Sequence, residues 1–328
     1  MEPNPTGRTA LTTGGAPGFA RAVGRVLLRI VFAIVGLLVL GAATIAVLFA
    51  VLNRTNGRII SSGDTRRYLL FVPGTYDPAT PTPLVISLHG FVEWPAHQMQ
   101  ISRWNDLAQE QGFLVVYPEG TGFPRRWRAG GWRGDTAPDV RFIADLIDAL
   151  AADYNLDRSR VYANGLSNGG GMSYLLGCAL ADRIAAVGGV AGAFVYPLED
   201  CAPSRPVPMI VFHGTADPIV PYAGGEVRDS QRRLPVIPEW VAARAALNGC
   251  HPAPEATPAS GSVSGFRYTE CDEGAEVDFY TIEGGGHTWP GGEPLPEWLT
   301  GPTSKDIDAT RVMWEFFQRF SIGGPGAK

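Results

Sequence analysis

Lysine is almost missing from this chain of 328 residues, which has only Lys305 and Lys328. Arginine supplies the other side-chain positive charges, and the net charge is -5. No basic stripe is present, so the sequence predicts no nucleic-acid partner. No internal repeat is visible, which argues against a solenoid or propeller. These absences leave a mildly acidic globular protein as the class to examine.

Cysteine is also scarce, with four residues: Cys178, Cys201, Cys250 and Cys271. None has C-x-x-C spacing, so a zinc ribbon or thioredoxin-like site is not expected. An even number suits disulfides in an oxidising compartment, and buried free thiols are the alternative. Four cysteines allow three pairings. We predict the sequential one, Cys178 with Cys201 and Cys250 with Cys271, because it closes two loops of similar length.

Residues 30–52 form a long apolar run without a charge. A helix of that length crosses a hydrocarbon core of ~30 Å. It is longer than the apolar region of most signal peptides, so a cleaved signal is the weaker interpretation. We predict a membrane signal-anchor with the following domain outside the cytoplasm, or a secreted protein if the segment is cut. The predicted division is a disordered tail at 1–25, the anchor at 26–53, a linker at 54–65 and one domain at 66–322.

Short apolar strands alternate with helices beyond the anchor. Fully apolar runs at 83–89 and 112–117 have the length of buried strands, and residues 136–154 show helical spacing. Further strands are predicted at 67–72, 160–163, 206–212 and 277–282, with helices at 172–181 and 304–320. This alternation predicts an α/β fold, a mostly parallel sheet covered on both faces.

The segment Gly165-Leu-Ser-Asn-Gly169 matches the G-x-S-x-G motif. A serine hydroxyl is a weak nucleophile until a base takes its proton, and a sharp strand-to-helix turn lifts Ser167 clear of the sheet. The motif alone is weak evidence, but here an apolar strand precedes it and a helix follows. Ser167 is therefore the predicted nucleophile of an α/β-hydrolase.

His287 is the predicted general base, partly by elimination. It lies in the glycine-rich loop Gly284–Gly292, after the last predicted strand, from which a flexible loop could reach the serine. The other histidines fit the role less well by their positions at strand ends, before the motif, or beside a cysteine: His89, His213, His97 and His251.

Asp217 is the predicted acid that orients the histidine. It follows a strand between the serine and the histidine, in the chain order that this hydrolase class uses. Asp200 and Asp229 are alternatives, and simple turn formation is the other explanation of Asp217-Pro218. The oxyanion formed in the reaction needs two backbone donors. We predict the amides of Asn168, at the start of a helix, and of Phe91, after His89-Gly90.

At these residues the chain resembles the polyhydroxybutyrate depolymerase and feruloyl/acetylxylan esterase family, the carbohydrate-esterase 1-like group. The resemblance covers roughly 66–320 and implies an α/β-hydrolase without metal or organic cofactor. By this likeness Ser167, Asp217 and His287 match the family's triad positions. Residues 133–140 match the family's paired-aspartate segment only loosely, which weakens a role for Asp139. The motifs that carry the resemblance lie at 83–90, 112–119, 157–170, 213–222 and 284–291.

The resulting hypothesis is a serine carboxylesterase that acts on a small or polymeric ester, with a membrane contact through its N-terminal helix and no implied protein partner. A serine peptidase on the same scaffold and a catalytically inert, membrane-tethered binding module are the alternatives. The long loops at 119–136 and 222–238 are expected to shape the substrate cleft or to be disordered insertions. Three tryptophans could stack on sugar or phenolic rings, although core packing is their commoner role: Trp127, Trp132 and Trp289.

Overall fold

The computed structural model describes residues 17–130, 135–226 and 233–325 of the chain. Two compact units are present, Met1–Val51 and Leu52–Lys328. The boundary lies near the predicted end of the anchor, while the four-part division of the chain stays a prediction.

The first unit contains one helix, α1 (Pro17–Leu52). Its stretch Val23–Leu48 has a mean hydropathy of 2.8 and is long enough to cross a membrane, a property that signal sequences share. The helix begins earlier than the predicted anchor, so residues 17–25 are helical where we expected a disordered tail. A proline is favourable in the first turn of a helix, since its missing N–H would have no intrahelical acceptor there.

The described residues of the second unit form seven α-helices and fourteen strands. The helices are α2 (Pro95–Ser102), α3 (Trp104–Gln111), α4 (Ala137–Asp153), α5 (Asn168–Ala179), α6 (Ile237–Leu247), α7 (Glu297–Thr300) and α8 (Ala309–Phe317). The strands are β1 (Gly57–Ser61), β2 (Asp64–Phe71), β3 (Thr82–Leu88), β4 (Leu114–Pro118), β5 (Leu156–Leu166), β6 (Ala186–Val190), β7 (Met209–Gly214), β8 (Gly225–Glu226), β9 (Arg233–Leu234), β10 (Glu255–Ser260), β11 (Val263–Tyr268), β12 (Val277–Ile282), β13 (Phe320–Ser321) and β14 (Gly324–Pro325).

Ten of these strands form one sheet in the order β1-β2-β4-β3-β5-β6-β7-β12-β11-β10. The central strands from β4 to β12 run parallel, and antiparallel strands complete both edges. The predicted α/β class with a mostly parallel sheet is confirmed. Parallel strands run in the same direction, because each connection between them returns across a face of the sheet. Their carboxyl ends therefore lie at one edge.

Helices bury both faces of this sheet. Helix α4 contributes Phe142 and Leu146 to one apolar cluster, which also receives residues of α5 and α6. On the opposite face, Trp104 of α3 and Phe317 of α8 belong to a second cluster. The central strand β3 is buried throughout its length. Burial on both faces explains why the central strands are apolar without alternation.

The predicted linker is a strand hairpin in the structure. Residues 57–61 form β1, which pairs antiparallel with β2. Ser62 and Gly63 connect the strands with positive φ angles of 52° and 85°, as a tight two-residue hairpin turn requires. The polar composition of 54–65 suggested a linker, but edge strands are commonly polar because one face and one edge meet water.

Both predicted cysteine pairs are disulfides. Cys178 at the end of α5 is bonded to Cys201, and Cys250 after α6 is bonded to Cys271. The described residues contain no free cysteine. Each disulfide therefore ties the end of a helix to a nearby loop of the second unit.

Candidate active site

Ser167 lies alone between the end of β5 and the start of α5. Its φ and ψ angles are 56° and -118°, a conformation that non-glycine residues rarely adopt. Backbone strain of this kind costs about 1–3 kcal/mol and persists only where the surroundings impose it. Its amide donates to the Val190 carbonyl at 2.9 Å, and its carbonyl accepts from the Ala193 amide at 2.9 Å. These bonds hold the predicted nucleophile at the carboxyl edge of the sheet.

The glycines on either side of Ser167 allow a close approach of two chain segments. A Cβ on Gly165 would overlap the backbone of Gly169, and a Cβ on Gly169 would overlap the Leu88 carbonyl oxygen at the end of β3. Both clashes involve backbone atoms, which cannot rotate away. The sharp turn can therefore form only because both positions lack a side chain.

The structure brings Asp217 and His287 together, 70 residues apart in the sequence. The Nδ1 atom of His287 lies 2.8 Å from Oδ2 of Asp217, and both side chains are buried. The other carboxylate oxygen accepts from the amides of Ile219 and Val220, each at 2.8 Å. These contacts fix the Asp217 carboxylate against the imidazole, which is the arrangement that the predicted triad requires.

No hydrogen bond joins Ser167 Oγ to the His287 ring within residues 17–130, 135–226 and 233–325. Hydrogen bonds between catalytic groups are often long in a free enzyme and shorten when substrate binds. The serine–histidine contact therefore stays a prediction.

The glycine-rich loop that carries His287 makes backbone hydrogen bonds with two other segments. The Ala216 amide donates to the Gly285 carbonyl at 3.0 Å, and the Gly286 amide donates to the Pro302 carbonyl at 2.9 Å. A Cβ on Gly286 would overlap the carbonyl oxygen of Thr300. The glycines thus permit close backbone packing on two sides.

Two further histidines are buried near the site. Burial lowers the pKa of His89 to about 4. The Gly120 amide donates to its Nε2 at 3.0 Å, so Nδ1 carries the proton and donates to the Gly90 carbonyl at 2.7 Å. His213 lies 2.8 Å from the Val220 carbonyl and 3.5 Å from Asp217 Oδ2, and burial lowers its pKa as well. Both rings are neutral at pH 7 and shape loops of the site.

One predicted oxyanion donor lies at the start of α5, and the other lies on the loop that follows β3. Asn168 is the first residue of α5, and the first four amides of a helix have no intrahelical acceptor. Phe91 lies after β3, between Gly90, whose amide donates to Glu93 Oε2 at 2.7 Å, and Val92, whose amide donates to the Arg125 carbonyl at 2.8 Å. Sequence adjacency predicted both positions, and their role as donors stays a prediction.

The alternative carboxylates and the candidate stacking tryptophans do not take the roles considered for them, or lie outside the described residues. Asp200 is exposed on the segment that follows β6, and Asp217 is the carboxylate bonded to His287. Trp127 and Trp289 are each 1% exposed, so neither offers a face for stacking on a sugar. Asp229 and Trp132 lie outside the described residues.

Asp139 has a contact that the loose motif match did not reveal. Its buried carboxylate pairs with Arg66 at 2.9 Å and accepts from the Arg128 amide at 2.8 Å. The Arg66 guanidinium lies over the ring of Phe142, 3.8 Å from its centroid. Asp139 thus connects α4 to Arg66 of β2 and to the backbone at Arg128.

A cavity of about 1060 Å³ is lined by the segment that follows β6. Ala193 donates its amide to the Ser167 carbonyl and precedes Phe194 and Tyr196, which line the cavity. Gly130 of one long loop and Ala223 of the other also line it. Both loops that were expected to shape a cleft therefore contribute to this cavity.

The acetyl xylan esterase from Aspergillus awamori superposes with a TM-score of 0.55 at 16% identity, covering 80% of this chain and 98% of that one. At this identity the likeness concerns the fold. The second unit therefore has the fold of solved esterases.

Sequence comparisons define the family. The model of the family described as esterase PHB depolymerase matches residues 67–220. Feruloyl esterase C of Emericella nidulans is 30% identical over 274 residues, which span 80% of this chain and 87% of that protein. The bifunctional acetylxylan esterase/xylanase XynS20E of Neocallimastix patriciarum is 28% identical over 268 residues, and the match spans only 34% of its length. The chain belongs to the esterase PHB depolymerase family. These relatives confirm the predicted enzyme class, the carboxylic ester hydrolases.

Proposed function

We propose that this protein hydrolyses carboxylic esters through Ser167, His287 and Asp217, with an acyl-enzyme intermediate. The observation that carries the proposal is the 2.8 Å contact between His287 Nδ1 and Asp217 Oδ2. It joins two residues distant in sequence at the sheet edge on which the strained Ser167 also lies. A purely structural histidine and aspartate would not need this arrangement beside a strained turn of that kind.

The proposed chemistry has two halves. Ser167 Oγ attacks the ester carbonyl carbon while His287 Nε2 takes the hydroxyl proton. The tetrahedral oxyanion accepts hydrogen bonds from the Asn168 and Phe91 amides, and its collapse breaks the carbon–oxygen bond to the alcohol, which leaves with the proton from His287. Water, deprotonated by His287, then attacks the acyl-enzyme. The carboxylic acid departs and the proton returns to Ser167.

We infer an acylated carbohydrate as the substrate class, with an acetyl or feruloyl group as the acyl part. Relatives named for acetylxylan and feruloyl esters support this class. The cavity beside Phe194 and Tyr196 is large enough for a sugar or a phenolic ring. A panel of feruloyl, acetyl-xylose and short polyhydroxyalkanoate esters, with a peptide amide as comparison, distinguishes this class from polyester and peptide hydrolysis.

We further propose that the second unit acts outside the cytoplasm and is tethered by α1. The two disulfides form in oxidising compartments, and α1 is apolar over a membrane-spanning length. A membrane fraction that retains a chain of at least 35.1 kDa, with α1 still attached, supports the tether. A shortened, soluble mature form contradicts it.

Labelling with a fluorophosphonate tests the nucleophile. The wild type should label and hydrolyse p-nitrophenyl acetate, and Ser167→Ala should lose the label and about 10⁴-fold or more in kcat. Ser204→Ala, at an exposed serine, is the matched control and should keep both. A folded wild type that does not label, or a Ser167→Ala variant with normal turnover, overturns the proposal.

A further inference from the structure

The segment Glu119–Arg128, called the bracket segment here, contacts the loop that follows β3. Its Gly120 amide donates to His89 Nε2 at 3.0 Å, and its Arg125 carbonyl accepts from the Val92 amide at 2.8 Å. These two bonds lie on either side of Gly90 and Phe91. The bracket segment thus holds the loop that carries one proposed oxyanion donor.

Trp127 of the bracket segment contacts both parts of the chain that carry a proposed oxyanion donor. Its indole Nε1–H donates to the His89 carbonyl at 3.0 Å. Its backbone amide donates to Asn168 Oδ1 at 2.7 Å, and its carbonyl accepts from Asn168 Nδ2 at 3.2 Å. One residue therefore joins the loop after β3 to the first residue of α5.

These contacts do more than fill the core. The Trp127 ring lies 5.1 Å from the His89 ring, and packing alone would satisfy a ring of this size. An aromatic residue without an N–H would bury similar area, whereas the indole donor is directed at the carbonyl two residues before Phe91. The paired bonds to the Asn168 side chain likewise restrain the residue whose amide is the other donor.

Fixed spacing between two oxyanion donors matters for the reaction rate. Preorganised donors stabilise the developing charge without reorganisation, and a displacement of about 1 Å can cost about 10²-fold. We propose that Trp127 is a positioning residue that holds the Phe91 and Asn168 amides at the separation that the tetrahedral oxyanion requires. This inference rests on the proposed esterase function.

The bracket segment is itself anchored, as a positioning element must be. Its last residue, Arg128, donates its amide to the Asp139 carboxylate, which pairs with Arg66. The Arg66 side chain also donates to the Glu119 carbonyl at 3.2 Å, at the other end of the segment. Arg66 and Asp139 thus restrain both ends of the bracket segment from the body of the domain.

The test substitutes Trp127→Phe, which removes the indole donor and keeps an aromatic ring. We expect kcat for p-nitrophenyl acetate to fall about 10- to 100-fold with KM changed less than about threefold, because the donors act mainly in the transition state. Affinity for an alkyl boronic acid, whose serine adduct is tetrahedral, should fall in parallel with kcat/KM.

Trp104→Phe is the matched control. Trp104 is also fully buried and its Nε1 donates to Asn164 at 3.1 Å, but it lies in the cluster on the opposite face of the sheet. This variant should lose stability without the change in kcat. Equal effects of the two substitutions on kcat, or a Trp127→Phe variant that changes only thermal stability or KM, would overturn the inference.

Asn168→Ala provides an independent variant if Trp127→Phe does not fold. It keeps the Asn168 backbone amide and removes both bonds to the Trp127 backbone. We expect a similar loss in kcat, and a double variant that loses less than the product of the two single effects, since both act through one contact. Normal kcat in Asn168→Ala contradicts the inference. Loss of Ser167-dependent turnover in the wild type would instead contradict the proposed function.

Discussion

The two halves of the candidate site are held in different ways. The nucleophile half, formed by β3, β5, α5 and the bracket segment, depends on backbone geometry: a strained Ser167, glycines without room for a Cβ, and two loop amides. The acid–base half, formed by β7, β12 and the loop with His287, depends on one side-chain contact, between Asp217 and His287. Substitutions in the first half therefore test space and backbone position. Isosteric substitutions in the acid–base half test the role of the side-chain charge.

Among substitutions that keep the shape of a side chain, the largest expected effect is in the acid–base half. Asp217→Asn keeps the shape of the side chain but removes the charge that stabilises the imidazolium, so kcat should fall about 10⁴-fold with the fold intact. Steady-state hydrolysis of p-nitrophenyl acetate and circular dichroism measure the two properties. Asp182→Asn, at an exposed carboxylate, should leave kcat unchanged. A fall of less than about tenfold would remove Asp217 from the proposed triad.

The two disulfides close loops of similar length, so they allow a comparison of the ends of α5 and α6. Cys178–Cys201 extends from α5 and Cys250–Cys271 extends from α6, with sequence separations of 23 and 21. Because loop-closure entropy depends on loop length, replacing either pair with serines should lower the free energy of unfolding by about 3 kcal/mol. Urea unfolding measures both losses. A much larger loss in one pair would show that strain or packing differs between the ends of α5 and α6.

A glycine substitution tests the close packing of the nucleophile half. Gly169→Ala forces a Cβ against the Leu88 carbonyl, so we expect a loss of about 2.5 kcal/mol in stability together with reduced activity. Gly74→Ala is the matched control, because its Cβ would meet only the Gln109 side chain at 3.5 Å. Thermal unfolding of both variants measures the difference. Equal stability of the two would contradict the steric explanation.

The smallest expected effect is a pH dependence of stability from His89. Burial lowers its pKa from 6.5 to about 4 in the folded protein. The unfolded chain therefore binds a proton that the folded chain does not, and stability falls as the pH decreases from about 6.5 towards 4. His89→Gln should reduce the difference in unfolding free energy between pH 7 and pH 5 by about 2 kcal/mol. An unchanged difference in urea unfolding would show that His89 is not the source.

Local signals predicted much of the fold, and their failures have physical causes. The apolar runs of β3 and β4 are buried strands as expected, because central parallel strands need apolar residues on both faces. Strand β6 was missed, since Ala186–Val190 contains two glycines and lacks a strong strand pattern. The hairpin of β10 and β11 was also missed, because edge strands tolerate polar residues.

The candidate site shows the same division between local and long-range information. The sequence by itself determined the glycines that allow the turn at Ser167, the order of serine, aspartate and histidine, and the even number of cysteines. Only the tertiary structure decided that Trp127 joins His89 to Asn168 and that Asp139 pairs with Arg66. Such contacts join residues far apart in the chain, so no local pattern records them. They depend on the way parallel strands bring their carboxyl ends to one edge of the sheet.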